Sequence, residues 1–299
     1  MRQFAQLARV GSARATFRLC FSEMRVEFTK MHGVGNDFVV FDAPIPDSLL
    51  DPARLRALAD RRTGIGFDQA LLLDAPRRAD SAAHYRVFNA DGAEVEQCGN
   101  GARCLAALLG RRGRARDGEL ALESAAGVIR ARLAADGAVS VDLGVPDFNP
   151  RSLPFDAAAE ADSYALEVAS QRLEIMVVSL GNPHAVVTVA SVDDVPVATL
   201  GPLIERHPRF PKRVNTGFLE IVSRGEVRLR VYERGAGETL SCGTGACAAV
   251  AVAGRRGWLD GGVRVSVRGG ALRVNWGGVG ENIWLTGPVQ ISFQGQVEV

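Results

Sequence analysis

Two cysteines stand in nearly identical surroundings at distant places in the chain. Cys98 begins the run Cys-Gly-Asn-Gly-Ala, and Cys242 begins the run Cys-Gly-Thr-Gly-Ala 144 positions later. Each run leads into a stretch rich in small and aliphatic residues, so each cysteine is expected at the start of a helix. Unpaired backbone N–H groups at such a start bind carboxylates, and they lower the pKa of a thiol from about 8.5 to about 3.5–7.5. The sequence therefore predicts two cysteines of low pKa whose thiolates can accept protons near neutral pH.

Two such helix starts facing each other would suit the inversion of a carbon centre. One thiolate removes the α-proton of a bound amino acid, and the opposite thiol delivers a proton to the other face. The helix ends stabilise the negative charge that develops on the substrate carboxylate. Cys98 and Cys242 thus favour an amino-acid racemase or epimerase that needs no cofactor.

The other cysteines fit simpler roles. Cys20, Cys104 and Cys247 are predicted to be buried small hydrophobic residues, the latter two inside the apolar helices. Their spacing from Cys98 and Cys242 matches no metal-binding pattern, so no metal site is predicted. Gly99-Asn100-Gly101 is a weak nucleotide-binding signal because no further phosphate-binding glycines or lysine follow it. An odd number of cysteines, 5, in a chain of this size favours free thiols and a cytoplasmic location.

The two cysteine motifs belong to a longer internal repeat. At the same spacing of 144 positions, Glu94 matches Glu238, Phe88-Asn89 matches Tyr232-Glu233, and residues 110–113 match residues 254–257. A match of this length indicates a duplicated unit of about 140 residues. A pseudo-two-fold arrangement of the two copies would bring the two helix starts together.

Short strands and few helices are predicted within each copy. Period-two runs that predict strands cover residues 86–88, 120–122, 139–141, 227–232 and 263–267. Residues 51–61 predict an amphipathic helix with Pro52 in its first turn, and the helices after Cys98 and Cys242 are expected to end near Arg-Arg-Gly. We therefore predict an α/β (α+β) fold of two pseudo-symmetric domains, each a curved sheet or barrel wrapped around a central helix. Residues 145–156, rich in Pro and Asp, are the predicted linker.

Composition excludes several classes of protein. The chain has 299 residues, 47% hydrophobic and 23% charged, with a formal net charge of +1. Its arginines are scattered among acidic residues, so nucleic acid and membrane surfaces are not expected partners. No apolar run approaches the roughly 18–20 residues of a membrane helix. Residues 1–23 contain four arginines and almost no acid, and we interpret them as a disordered or non-native extension.

Other polar residues match across the repeat. Asn36 and Asn182 each follow a glycine at corresponding places, and either an orientation into the cleft or ordinary turn chemistry explains them. Asn89 in one copy corresponds to Glu233 in the other, an asymmetry that suits a substrate with two different ends. His184 is a candidate for tuning a thiol, whereas the remaining histidines, His32, His84 and His207, are predicted to be structural or exposed.

From Met24 to the C-terminus the sequence resembles the diaminopimelate epimerase family. The motifs that carry this resemblance are residues 31–38, 66–69, 88–92, 98–103, 181–184, 214–216, 232–235 and 242–245. The resemblance implies interconversion of LL- and meso-2,6-diaminoheptanedioate, a step in lysine and cell-wall precursor biosynthesis, without pyridoxal phosphate or metal. It also implies that the last strand of the chain returns to the first domain. Homodimers are usual in the family. The corresponding domains are residues 24–142 with 288–299, and residues 143–287.

The resemblance also implies roles for individual residues. Cys98 and Cys242 would be the acid and base groups, with His184 and Glu233 as their polarising partners. The backbone at Gly99, Asn100, Gly243 and Thr244 would hold the reacting carboxylate. The rest of the substrate would be bound by Asn36, Gln69, Asn89, Asn182, Asn215, Glu233 and Arg234, with Arg234 pairing with the distal carboxylate.

Two alternatives remain at this point. A proline-type racemase would use the same pair of cysteines but would lack the asparagine-rich set and Arg234. A thiol redox protein would use a disulfide between Cys98 and Cys242 as part of its function, whereas the same disulfide would inactivate an epimerase.

Overall fold

The computed structural model describes residues 25–95 and 98–298 of the chain. The predicted extension at residues 1–23 lies outside the described residues, and so does Cys20 with its predicted burial.

The first half of the described chain contains eight strands and two α-helices. In chain order its elements are β1 (Arg25–Gly33), β2 (Asn36–Asp42), a 3-10 helix (Asp47–Leu50), α1 (Pro52–Ala59), β3 (Gln69–Asp74), β4 (Ala83–Asn89), β5 (Glu94–Val95), α2 (Gly99–Arg111), β6 (Glu119–Ser124), β7 (Gly127–Leu133) and β8 (Val139–Asp142).

The second half repeats this order with one strand before it and one after it. Its elements are β9 (Tyr164–Val168), β10 (Gln171–Ser179), β11 (Pro183–Thr188), α3 (Val197–Glu205), β12 (Asn215–Ser223), β13 (Glu226–Glu233), β14 (Gly237–Glu238), α4 (Gly243–Arg255), β15 (Gly262–Val267), β16 (Gly270–Trp276), β17 (Ile283–Gly287) and β18 (Gln290–Glu298).

The strand pairings of one half recur in the other. Strand β2 is parallel to β3, and β11 is parallel to β12 at the equivalent place. Strand β4 is parallel to β6 just as β13 is parallel to β15. Strand β9 pairs with β10 at the start of the second half, and β18 pairs with β1 at the start of the first. This recurrence is the structural counterpart of the sequence repeat.

Helices α2 and α4 occupy the centres of the two halves. Helix α2 packs against β1, β2, β6, β7 and β8, and α4 packs against β10 to β13, β16 and β17. Most residues of both helices are buried. A helix that is enclosed on all sides needs apolar or small residues all round, and α4, in which every residue from Gly243 to Ala253 is buried, meets this requirement. The predicted fold class, a curved sheet around a central helix in each half, is confirmed.

Both central helices end as their sequences predict. Helix α2 ends at Arg111 and α4 ends at Arg255. Gly113 and Gly257 follow at φ +72° in each case, the left-handed conformation that glycine adopts without strain. The five predicted strands are confirmed within β4, β6, β8, β13 and β15.

The predicted helix at residues 51–61 is confirmed, but it is shorter at its C-terminal end. Asp51 caps the start of α1 by accepting hydrogen bonds from the backbone N–H groups of Ala53 and Arg54. The helix ends at Ala59 because the Asp60 carboxylate binds the N–H groups of Arg62 and Thr63, which turns the chain away from the helix axis.

The predicted linker at residues 145–156 contains no helix or named strand, but it is not loosely attached. Asp147 forms an isolated bridge with Ser179, and Phe148, Leu153 and Phe155 are buried. This segment therefore contributes to the core as well as joining the two halves.

The pairings at both ends of the second half support the predicted domain limits. Strand β8 pairs with β17, so the two halves share one hydrogen-bonded boundary, and β18 then crosses back to β1. These contacts are consistent with residues 24–142 and 288–299 against residues 143–287. The limits themselves stay a prediction.

The two halves share one hydrophobic core. A single cluster of buried residues includes Leu105 of α2, Val250 of α4 and Leu285 of β17. Two smaller clusters of buried residues lie apart from this core, one around Leu55 in the first half and one around Ile204 in the second. A shared central core predicts that the halves unfold together. In the described residues, no helix has both the length and the apolar character to cross a membrane.

Substitution Leu105→Ala tests this coupling, because Leu105 is fully buried in α2. The cavity should lower the free energy of unfolding by about 2–5 kcal/mol. All three tryptophans, Trp258, Trp276 and Trp284, lie in the second half. Their fluorescence should therefore report the same shift in urea midpoint as far-UV circular dichroism does.

A matched control is Leu203→Ala, because Leu203 is 43% exposed. It should change the free energy of unfolding by less than about 0.5 kcal/mol. A Leu105→Ala midpoint that moves by circular dichroism but not by tryptophan fluorescence would show that the halves unfold independently.

Candidate active site

Each of the two predicted thiols caps the start of a central helix. The Sγ atom of Cys98 accepts a hydrogen bond from the N–H of Gly101 at 3.4 Å, and that of Cys242 accepts one from Gly245 at 3.4 Å. Both cysteines have extended backbones, at φ −141° and −118°. The predicted position of both cysteines at helix starts is therefore confirmed.

The two helix starts meet directly. The amide of Asn100, in the first turn of α2, donates to the carbonyl of Ser241, the residue before Cys242, at 3.4 Å. A Cβ on Gly243 would lie 2.8 Å from the Asn100 Oδ1 atom. Glycine at the first position of α4 thus allows Asn100 to approach the helix backbone. Unpaired N–H groups of both helices consequently face the same region.

The two asparagines after the hairpin turns make equivalent contacts. Asn36 accepts a hydrogen bond from Asn100 at 3.2 Å, and Asn182 donates one to Thr244 at 3.2 Å. Asn100 and Thr244 are the second residues of α2 and α4. Both asparagines therefore face the helix starts and do more than shape their turns.

The other predicted substrate-binding residues lie at the ends of strands β3, β4 and β12. Gln69 donates to Asn89 at 2.8 Å across β3 and β4. Asn215 faces His184 in the parallel register, donates to the Pro183 carbonyl at 3.0 Å and accepts from the Arg234 N–H at 2.9 Å. The structure thus brings these residues to the strand ends that surround the cysteines.

The halves differ in the titratable groups that they place beside the helix starts. Glu233 ends β13 where Asn89 ends β4, and His184 is the second residue of β11, two positions after Asn182. Glu233 forms a hydrogen bond with the thiol of Cys242 and accepts another from Thr239 at 2.6 Å. The His184 ring binds Asn182 at 3.0 Å, and neither cysteine is among its described hydrogen-bond partners.

Burial changes the protonation of both partner residues. It raises the pKa of the Glu233 carboxyl, and the hydrogen bonds from Thr239 and Cys242 partly offset this effect. It lowers the pKa of His184 to about 3, and the charge of Arg234 adds to this shift. His184 is therefore a neutral imidazole at neutral pH.

The expectation that both thiols have a low pKa is wrong in this structure. Burial raises the pKa of the Cys98 thiol to about 12, despite opposing hydrogen bonds from backbone N–H groups of Gly101 and Asn100. Burial also raises the pKa of the Cys242 thiol well above its ordinary value, and the negative charge of Glu233 contributes. Desolvation thus outweighs the helix start, and both sulfurs are thiols at neutral pH.

Arg234 is exposed, with its guanidinium 3.4 Å from the Lys212 carbonyl. Its proximity to the site is clear from its backbone bond to Asn215 and from its charge effect on His184. An exposed arginine beside the asparagine cluster is available to an incoming carboxylate.

The minor cysteines and histidines behave as predicted. Cys104 and Cys247 are fully buried, and all four described cysteines are free. His84 is buried near Asp74, with 3.5 Å between its ring and the carboxylate. The ring of His32 lies 3.1 Å from Gln290, and that of His207 lies 3.2 Å from the Glu167 carbonyl.

Sequence reasoning missed a charged cluster that holds Asn36 in place. The Asp68 carboxylate accepts a hydrogen bond from the Asn36 amide at 2.8 Å, and Arg61 binds both Asp68 and Asp37. Lys30 binds Asp37 at 2.6 Å. Burial raises the pKa of the Asp37 carboxyl, but the hydrogen bonds and charges of Arg61 and Lys30 together lower it below its ordinary value. The position of Asp68 beside Gln69 in the 66–69 motif was the available signal. Its partner Arg61 lies outside every motif.

Potential metal ligands do not cluster in the part of the chain that the structure describes. Across residues 25–95 and 98–298, no three His, Cys, Asp or Glu side chains come together in a way that suits a metal ion.

Solved structures of low sequence identity have a similar fold. A probable proline racemase from Agrobacterium radiobacter matches with a TM-score of 0.69 and 20% identity, covering 92% of this chain and 93% of the other. A PhzF-family phenazine biosynthesis protein from Bacillus anthracis matches with a TM-score of 0.62 and 18% identity, covering 92% and 100%. Likeness at this level of identity concerns the fold alone.

Sequence comparison is more specific. The family model for diaminopimelate epimerase matches residues 28–149 and 176–292. The diaminopimelate epimerase of Laribacter hongkongensis is 54% identical over 276 residues, covering 92% of this chain and 99% of the relative. That of Chromobacterium violaceum is 52% identical over 276 residues, covering 92% and 100%. This chain therefore belongs to the diaminopimelate epimerase family.

Proposed function

We propose that this protein is an isomerase that interconverts LL- and meso-2,6-diaminoheptanedioate by two-base proton transfer. The observation that carries the proposal is the pair of cysteines capping two helices whose starts meet, Cys98 on α2 and Cys242 on α4. Family membership supports the choice of substrate, and it favours a place in lysine and cell-wall precursor biosynthesis.

The reacting carboxylate would bind between the helix starts. The N–H groups at Gly99, Asn100, Gly243 and Thr244 are in the first turns of α2 and α4, where they have no carbonyl partner within the helix. Two helix ends directed at one carboxylate favour its negative charge. They also stabilise the additional charge that develops when the α-proton leaves.

Proton transfer would start from a thiol and its buried partner. The Glu233 carboxylate takes the proton of Cys242, and the resulting thiolate removes the α-proton of the substrate. The electron pair of that C–H bond is delocalised onto the substrate carboxylate. Cys98 then donates its proton to the opposite face and becomes a thiolate. A proton passing from Glu233 to Cys98 through water restores the starting state.

In the reverse direction Cys98 would be the base, with the neutral imidazole of His184 as its polarising partner. His184 binds Asn182 through Nε2, which leaves the other ring nitrogen as an acceptor if Nε2 carries the proton. The two directions would therefore use different partners, a carboxyl for Cys242 and an imidazole for Cys98.

The distal amino-acid head would be recognised by the amide cluster and Arg234. Asn36, Asn182 and Asn215 lie at the strand ends around the helix starts, and Gln69 and Asn89 form a linked pair beside them. Amides bind both ammonium and carboxylate groups, while an arginine forms a charge-assisted pair with a carboxylate. Proline has no second head to occupy these groups.

We also propose a homodimer and a cytoplasmic location. Among the described strands, β18 pairs only with β1, and it carries Phe293, which is 50% exposed and in edge contact with Phe28. An open strand edge with an exposed aromatic ring suits a second copy of the chain. Free Cys98 and Cys242 suit a reducing compartment such as the bacterial cytoplasm.

Reaction in deuterium oxide tests the two-base proposal. LL-Diaminoheptanedioate should yield meso product with one deuterium at the inverted carbon, detected by NMR and mass spectrometry. Cys98→Ala and Cys242→Ala should each lower kcat/KM by at least about a hundredfold, because each removes a proton carrier. The serine variants should retain slightly more activity.

Cys104→Ala is the matched control, because Cys104 is a buried cysteine in the same helix as the Cys98 cap. It should keep more than half of the activity. More than a few per cent of parental activity in a folded Cys98→Ala or Cys242→Ala variant would contradict the two-base assignment.

Substitution Arg234→Ala tests recognition of the distal carboxylate. Loss of a hydrogen bond to a charged group costs about 1.5–3 kcal/mol, so kcat/KM should fall by about tenfold to a hundredfold. Arg206→Ala, which removes a nearby exposed arginine, should have little effect. Proline turnover comparable to that of diaminoheptanedioate would instead support a proline-type racemase.

Substitution Phe293→Lys tests the proposed dimer surface. Sedimentation velocity should show a dimer for the parent and a monomer for the variant at micromolar concentration, because the new charge would be buried in the interface. Val222→Lys is the control, because Val222 is 52% exposed on β12. An unchanged dimer in Phe293→Lys would exclude the β18 edge as the contact.

A further inference from the structure

A fully buried arginine in α2 lies near Cys98, and no acidic side chain among the described residues pairs with it. Arg103, in α2, is 0% exposed. Its Nη2 atom donates to the Asn100 Oδ1 atom at 2.6 Å. Among the described residues, its Nε and Nη1 atoms have no hydrogen-bond partner, and no carboxylate forms a salt bridge with it. A buried cation is costly unless it is paired, so its presence calls for a cause beyond packing.

The charge of Arg103 acts on the thiols around it. Its positive charge lowers the pKa of Cys98, Cys104 and Cys247, although burial raises all three by more. Burial lowers the pKa of the guanidinium itself, but an arginine remains a cation in a protein. Among these three thiols, Cys98 alone caps a helix start in the candidate active site.

The other groups that face Cys98 are few. The carboxyl of Glu233 raises the pKa of Cys98, and backbone N–H groups of Gly101 and Asn100 lower it. Tyr85, buried in β4, interacts with the same thiol as a neutral phenol, because burial raises its pKa. Arg103 is therefore the cation that opposes the charge of Glu233 at this sulfur.

Arg103 also determines how Asn100 is oriented. An amide oxygen accepts hydrogen bonds and an amide nitrogen donates them, so the bond from Arg103 fixes the oxygen of Asn100 toward α2. The nitrogen then donates to Asn36 in the first half at 3.2 Å and to the Ser241 carbonyl in the second half at 3.4 Å. One amide thus links both halves at the helix starts.

The repeat shows that this feature is specific to one half. Arg103 lies 144 positions before Cys247, so the second copy has a small neutral residue at the equivalent place in α4. The guanidinium extends to the backbone of Gly33 in β1 and to Gly287 in β17, and so occupies space between the halves. The first copy of the repeat therefore has a cation at this position of its central helix, and the second copy does not.

We propose that Arg103 is a positioning residue for proton transfer: its buried guanidinium orients Asn100 across the two halves and supplies the positive charge that favours the thiolate of Cys98. This inference rests on the proposed function for its consequence in catalysis. Its electrostatic part concerns the protein alone.

The electrostatic part is tested by the rate at which iodoacetamide alkylates Cys98 at a fixed pH of about 9, in a Cys242→Ala background. Mass spectrometry of the peptide that contains Cys98 separates this site from the other cysteines. Because the pKa of Cys98 lies well above this pH, the rate is proportional to the fraction of thiolate. In Arg103→Met, which keeps most of the volume but removes the charge, the rate should fall by about tenfold or more. In Arg103→Lys it should stay within about twofold of the parent.

The positioning part is tested by steady-state kinetics with Cys242 intact. Arg103→Lys should lower kcat by about tenfold, because a lysine cannot reproduce the planar donor geometry toward Asn100. Arg103→Met should lower kcat by about a hundredfold, with a smaller change in KM. Arg111→Met, on the exposed C-terminal end of the same helix, is the control and should leave both readouts unchanged.

A folded Arg103→Met variant with the parental alkylation rate would overturn the electrostatic part. If Arg103→Met does not fold, Arg103→Lys decides, because a lysine variant with parental kcat would overturn the positioning part. Failure of the proposed function is distinguishable: no deuterium would enter diaminoheptanedioate with the parent protein, whereas the alkylation rate of Cys98 would still depend on the charge at residue 103.

Discussion

The close approach of two helix starts is the constraint on which the rest of the structure depends. An α-helix leaves its first N–H groups without partners, and two such starts can share one region only where no side chain separates them. Gly243 meets this need, because any Cβ there would collide with the amide of Asn100. The curved sheets then pack around each helix along most of its length and so fix where its start lies. The apolar composition of α4 is a consequence of that enclosure.

The two copies of the repeat share the geometry of the candidate active site but differ in the titratable groups that they place there. The paired asparagines, Asn36 and Asn182, still contact the second residue of each central helix. By contrast, Glu233 replaces Asn89 beside one cysteine, and Arg103 has only a cysteine as its counterpart. In the proposed function, the symmetric part of the structure would bind a group that both faces must reach, the reacting carboxylate. The asymmetric part would provide two different protonation partners and recognise the two ends of the substrate differently.

The parts of this structure that were predictable from sequence are those specified by local or repeated patterns. The cysteine positions, the ends of α2 and α4 and the five strands follow from periodicity, glycine placement and internal repetition. The early end of α1 was missed because the side chain of Asp60 competes for backbone N–H groups after Ala59. The Arg61 and Asp68 contact was missed because it depends on tertiary packing. The thiol pKa was predicted in the wrong direction, since helix position is visible in a sequence and desolvation is not.

A raised thiol pKa is compatible with proton abstraction and even assists it. The α-proton of an amino acid is a weak acid, and a base gains strength as the pKa of its conjugate acid rises. A desolvated thiolate of Cys242 or Cys98 is therefore a stronger base than one in water, although less of it forms. The population of thiolate then depends on the few nearby charges: the charge of Glu233 raises the pKa of Cys242, and that of Arg103 lowers the pKa of Cys98. In the proposed reaction Glu233 would accept the proton of Cys242. In the proposed reaction, a substrate ammonium group that entered the same buried region would add positive charge near the sulfurs. Formation of the reactive thiolate would then be coupled to binding, so the strong base would arise where the α-carbon is already in place.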